Sequence, residues 1–200
     1  AKTYGEVIAI DHTGITAFVA TELGPVAPLL TLALDLASRV ICGVHVSFGP
    51  PGPLLISEVL QDAVARAEAI APGAEIVKPR LFFEIGRTAG WEFLVDKMES
   101  VGTLAVAKRS PQYGFGTTIA DFVGPTLGKL GLASQKQRAN TTFDPSVDAL
   151  VSLEELTSLL EDSVRKYNSS RLPTTQRQVR FAFEYLNAPP SPAMRARLKD

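Results

Sequence analysis

In LLTLALDLASRVICGVHVSF, residues 29 to 48, two apolar, β-branched runs flank a short polar break, DLASR at 35 to 39. Runs of this kind bounded by turn formers are strands, and the break makes them two strands rather than one. Upstream, ELGPVAP (22 to 28) carries Gly24, Pro25 and Pro28 and reads as a longer connection. Before it stand ITAFVAT (15 to 21) and EVIAID (6 to 11), joined by HTG, which reads as a tight turn. The expectation is a meander of adjacent antiparallel strands. Asp11 then closes a core strand, where an unpaired carboxylate is costly. An acid in that position is hydrogen-bonded, salt-bridged or holding a metal ion.

Downstream of GPPGP (49 to 53), where prolines oppose regular structure, SEVLQDAVARAEAIA (57 to 71) has apolar residues at helical spacing with Ser57 as the cap. PRLFFEIG (79 to 86) reads as a central strand, WEFLVDKMESVG (91 to 102) as a helix closed by Gly102, and TLAVA (103 to 107) as a strand. Any helix in the glycine-rich stretch 110 to 134 is interrupted near Gly124 and Pro125. SLEELTSLLEDSVRKYN (152 to 168) is the clearest helix, with Ser152 and Glu155 as a capping box. TTQRQVRFAFEYLN (174 to 187) reads as a last helix before APPSP. Helices alternating with strands after a meander predict an α/β fold, a mixed sheet with helices on both faces.

Composition narrows the function classes. The 20 basic and 21 acidic residues leave a formal charge of −1, so no overall electrostatic footprint for nucleic acid is present. Basic residues gather late, at Arg171, Arg177, Arg180, Arg195, Arg197 and Lys199, as a solvated face or a local patch. Cys42 is the single cysteine, which excludes an internal disulfide and fits a reducing cytoplasm. No apolar run reaches membrane-spanning length and no signal segment opens the chain, so a soluble protein is expected. The opening AKTYGEV, without Met, reads as a piece of a larger polypeptide. Two histidines and one cysteine far apart make no zinc pattern, and no P-loop or serine triad is legible. His12 reads as a turn hydrogen-bonder and His45 as an ordinary strand residue.

IDHTGITAFVA, PLLTLALDLASRVICGVHVSFGPPG and TTFDPSVDALVSLEELTSLLEDSVRKYN closely resemble the catalytic core of bacterial DDE transposases, the retroviral-integrase-like enzymes related to the phage Mu transposase. The likeness covers the first 55 residues and 141 to 168. It implies an RNase H-like mixed sheet, three antiparallel strands followed by parallel ones, flanked by helices, over residues 1–140, with a C-terminal helical extension over 141–200. It also implies metal-dependent phosphodiester cleavage and strand transfer on transposon-end and target DNA, by a homo-oligomer. Such chemistry uses two divalent ions, Mg²⁺ or Mn²⁺, held by three carboxylates.

Asp11 matches the first acid of that set. For the second, the run PRLFFEIGRTAGWEF puts Thr88 at the acidic position when aligned from GWEF, but Glu84 at the strand end when aligned from Pro79. Glu84 is preferred, because strand ends are structurally fixed and turns accept insertions. The third acid's place holds Thr118, and Asp121, one helical turn on, is the nearest substitute. The family's basic residues are missing too: Gly114 and Phe115 stand near the lysine position and Ala120 near the arginine. Two readings therefore stand. One is a rearranged Asp11, Glu84, Asp121 metal site in an active core. The other is a non-catalytic DNA-binding or assembly domain on the same scaffold.

Overall fold

The computed structural model describes residues 4–70, 72–73, 75–77, 79–83, 94, 116–133, 142–145, 148–169, 171 and 179–181. The strands are β1 (Val7–Ile15), β2 (Ala17–Thr21), β3 (Gly24–Val26), β4 (Leu29–Asp35), β5 (Ile41–Ser47), β6 (Glu75–Val77), β7 (Arg80–Phe83), β8 (Thr126–Leu127), β9 (Leu130–Ala133), β10 (Ala149–Val151) and β11 (Val179–Phe181). The helices are α1 (Pro53–Ile70), α2 (Thr117–Phe122) and α3 (Leu153–Ser169).

β1 is the centre of a mostly antiparallel mixed sheet. One of its edges is zipped to β4 from Ile8↔Asp35 to Gly14↔Leu29, and β4 is paired in turn with β5. The other edge is shared: β7 runs parallel along Val7–Ile10, and β9 runs antiparallel at Gly14 and Ile15. A smaller sheet has the order β10-β2-β3, and β11 pairs with β6.

Three sequence expectations are corrected here. HTG is not a turn, because β1 continues through it, buried at every position to Ile15. β4 is long enough to pair all the way to Gly14, and that ladder keeps the backbone groups of 12 to 14 satisfied where a turn would expose them. Consequently 15 to 21 is not the neighbour of β1. The chain leaves the main sheet at Thr16, whose N–H donates to the Gly131 carbonyl (3.0 Å), and β2 joins the smaller sheet. Finally, residues 179 to 181 form a strand parallel to β6 within the stretch read as a last helix. Valine and phenylalanine suit a strand once an edge is offered.

Other readings hold with small shifts. The break at DLASR separates β4 from β5 as expected. α1 begins at Pro53, so Ser57 lies a full turn inside the helix and is not its cap; proline suits a helix start because it lacks only an N–H that would have no helical partner. α2 ends at Phe122 with Val123 as its C-cap, and Gly124 takes φ 98°, a left-handed conformation glycine adopts without strain. At α3 the capping box forms both ways: Glu155 accepts from the Ser152 N–H (2.8 Å) and Ser152 Oγ accepts from the Glu155 N–H (3.1 Å). Of the segment 91 to 102 only Leu94 is described, and it is buried. The expected strand at 103 to 107 lies outside the described residues.

Helices cover both faces of the main sheet. Ile8, Ile10 and Ala33 pack with Ile56, Val59, Leu60 and Ala63 of α1. On the opposite face Leu30, Leu32 and Leu34 meet Ile119 of α2 and Leu156, Leu160 and Val164 of α3. Residues 149 to 164 thus pack into the body built by β2, β4 and β5. The outer edge of β5 is capped by side chains: Asn168 accepts from the Ile41 N–H (2.9 Å) and donates to its carbonyl (2.7 Å), and Asp62 accepts from the Val44 N–H (2.7 Å). Those two side chains occupy edge groups that would otherwise template another strand.

Candidate functional site: the buried carboxylate of Asp11

Residues 11 to 13 of β1 face a gap in the sheet edge, between the stretch held by β7 and the stretch held by β9. The first turn of α2 fills that gap. Gly116, its N-cap, sits at φ 94°, and a Cβ there would stand 3.2 Å from the His12 carbonyl oxygen. No side chain of α2 caps its own N-terminus.

Asp11, fully buried, supplies the cap from across the fold. Its Oδ1 accepts from the N–H of His12 (2.9 Å) and of Gly116 (2.9 Å). Its Oδ2 accepts from the N–H of Thr118 (2.8 Å) and of Ile119 (3.1 Å). A carboxylate offers about four lone-pair sites, so these four donors engage its acceptor capacity. The charge on the core strand is hydrogen-bonded, and what it holds is the start of α2 against β1. Favourable placement of an anion at a helix N-terminus adds to the bond energy.

Thr118, standing where the resemblance calls for an acid, is buried in the same turn. Asp121 lies on α2 and is exposed, whereas Asp11 is sealed beneath the first turn of that helix. Glu84 lies outside the described residues; the strand before it, β7, aligns Phe83 with Ile10. Among the described residues no three His, Cys, Asp or Glu side chains are grouped so as to hold a metal ion. The described donors do not fit a divalent-metal pair, because an ion reaching Asp11 would have to displace the α2 amides.

His12 is not in a turn. It lies buried in mid-strand, and its Nδ1 shares a 2.8 Å hydrogen bond with Thr31 Oγ1 of β4. Thr31 is paired in turn with His45 of β5, so a polar row crosses three strands. Burial pushes His12 down to about 4. In an unfolded chain histidine titrates at roughly 6.5, so between these values only the unfolded chain takes the proton. Stability is therefore full above about pH 6.5 and falls as pH drops toward 4, by at most about 3 kcal/mol. Urea unfolding between pH 7 and 4.5, with the native His12 ring followed by NMR, checks this; a native ring that titrates near 6.5 would refute it.

Sequence reasoning missed a second fully buried carboxylate. Asp35 accepts from the Gly5 N–H (2.9 Å), the Ser38 N–H (2.6 Å) and the Ser38 hydroxyl (2.7 Å), and so builds the turn from β4 to β5. Its signal was present as Asp followed by Ser three residues on, the pattern of a side chain that closes its own turn. Cys42 is buried, and burial pushes its thiol upward. No helix among the described residues is long and apolar enough to cross a membrane. No protein-family model and no curated protein matches this chain.

Proposed function

We propose that the chain is the core domain of a DDE-type transposase or integrase, built on an RNase H-like sheet and acting on transposon-end and target DNA in transposition or integration. The observation that carries this reading is the setting of Asp11. It is a buried carboxylate on the central strand, flanked by β4 running antiparallel and β7 running parallel, at the gap that α2 fills. Asp11, Glu84 and Asp121 fall in sequence on β1, directly after β7 and on α2, the elements that border this gap. Self-association on paired DNA ends and a cytoplasmic setting belong to the same reading, the latter suited to the single reduced Cys42.

A second reading, a non-catalytic DNA-binding or assembly domain on that scaffold, is favoured by one specific observation. The four backbone donors on Asp11 occupy the lone pairs that Mg²⁺ or Mn²⁺ would need. The full chain incubated with supercoiled plasmid and a fluorescent DNA duplex at millimolar Mn²⁺ separates the two. Nicking or joining that Glu84→Gln and Asp121→Asn abolish supports an active core. Duplex binding with neither reaction supports the second reading, and absence of both binding and reaction removes each of them.

A further inference from the structure

We infer that Arg39 and Arg171, each laid on the ring of a neighbouring aromatic residue, form a surface that grips the phosphates of a nucleic-acid backbone, away from Asp11. The inference rests on the reading of the chain as a DNA-handling domain. Arg39 stands in the turn between β4 and β5. Asp35, where that turn begins, is paired with Ile8, while Asp11 is paired with Leu32, three residues along the strand. At 3.3 Å per residue the turn starts about 10 Å from the Asp11 level.

Four groups are joined there. The Arg39 guanidinium carbon lies 5.3 Å from the centre of the Phe122 ring at the end of α2. The Phe122 carbonyl accepts from the Tyr167 hydroxyl (2.9 Å). The Arg171 guanidinium carbon lies 3.8 Å from the centre of the Tyr167 ring, and its Nη1 donates to the Tyr167 carbonyl (2.9 Å). Both cations act on the same phenol: burial pushes Tyr167 up, and Arg171 and Arg39 pull against it. A guanidinium resting on a ring keeps its edge N–H groups in a fixed plane, the geometry that suits phosphate oxygens.

Arg39 is also placed at a conformational cost. It is the one non-glycine residue among those described with a positive φ, 63°, in a turn where glycine would be relaxed. Arg39 is exposed, and among the described residues no acid forms an ion pair with it. The Asp35 carboxylate is engaged by Gly5 and Ser38. An exposed arginine in a glycine conformation with no acidic partner among the described residues is poorly explained by the stability of the turn. An anion from outside explains it.

Fluorescence anisotropy of a labelled DNA duplex with the full chain, over a salt series, tests this in Arg39→Gly and Arg171→Gln. The expected result is a roughly tenfold loss of affinity in each variant and a salt slope smaller by about one, the signature of one lost phosphate contact. Arg39→Gly should also keep or raise its thermal midpoint, since the backbone strain is relieved. If the wild type binds duplex and both variants match it in affinity and slope, the surface is elsewhere and the proposed function still stands. A fall in the midpoint of Arg39→Gly with unchanged DNA affinity makes Arg39 a structural clamp and overturns the inference. No duplex binding by the wild type at low salt overturns both the inference and the DNA-handling reading.

Discussion

Asp11→Ala is expected to cost about 4 kcal/mol or more, enough to leave the chain largely unfolded or far less stable in urea. The variant strips acceptors from the N–H groups of His12, Gly116, Thr118 and Ile119 at once. A buried donor left without a partner costs about 1 to 3 kcal/mol, and a whole domain is stable by only about 5 to 15 kcal/mol. Partial opening of the gap to water sets the estimate at the lower end of the sum. Asp11→Asn should rescue poorly, because its amide nitrogen turns a second donor toward donors already present. This is where an anchoring role parts from a purely catalytic one, which tolerates Asn in the fold and loses only chemistry. Urea unfolding followed by circular dichroism decides it, and an Asn variant as stable as wild type would defeat the anchoring account.

The second large effect is expected at Gly43→Val, a loss of about 3 kcal/mol or more. Gly43 lies on β5 directly under α1. A Cβ there would collide with the Val59 backbone carbonyl and stand 3.0 Å from Ala63 Cβ and 3.1 Å from its N–H nitrogen. Backbone cannot rotate away as a side chain can, so α1 would have to lift from the sheet. Ile56, Val59 and Leu60, all fully buried against β1, β4 and β5, would lose contact together. The thermal midpoint of Gly43→Ala should fall between those of wild type and Gly43→Val. Equal stability of all three would show that α1 is not seated as closely as its carbonyl implies.

The sequence was most legible where a signal is local. The two strands around DLASR, the body of α1, the strand at 80 to 83 and α3 with its reciprocal cap were all read from spacing and residue type. These depend on neighbours a few positions apart. HTG misled because a Thr-Gly pair is as good a turn as a strand end, and only the length of β4 across from it settles the matter. VRF at 179 to 181 misled because its strand pairing is with β6, about a hundred positions upstream, which no local reading shows.

The same division holds at the candidate site. By itself the sequence determined that a carboxylate follows an apolar core run at Asp11, that two strands flank the break at 35 to 39, and that a helix with a reciprocal cap begins after Ser152. The tertiary structure alone decided what the carboxylate does. Gly116, Thr118 and Ile119 donate to it from more than a hundred positions away, in a helix that lacks a side-chain cap of its own. Backbone N–H groups are the same in every residue, so no pattern of side chains announces them, and their meeting with Asp11 exists only once β7 and β9 have left that gap in the edge of β1.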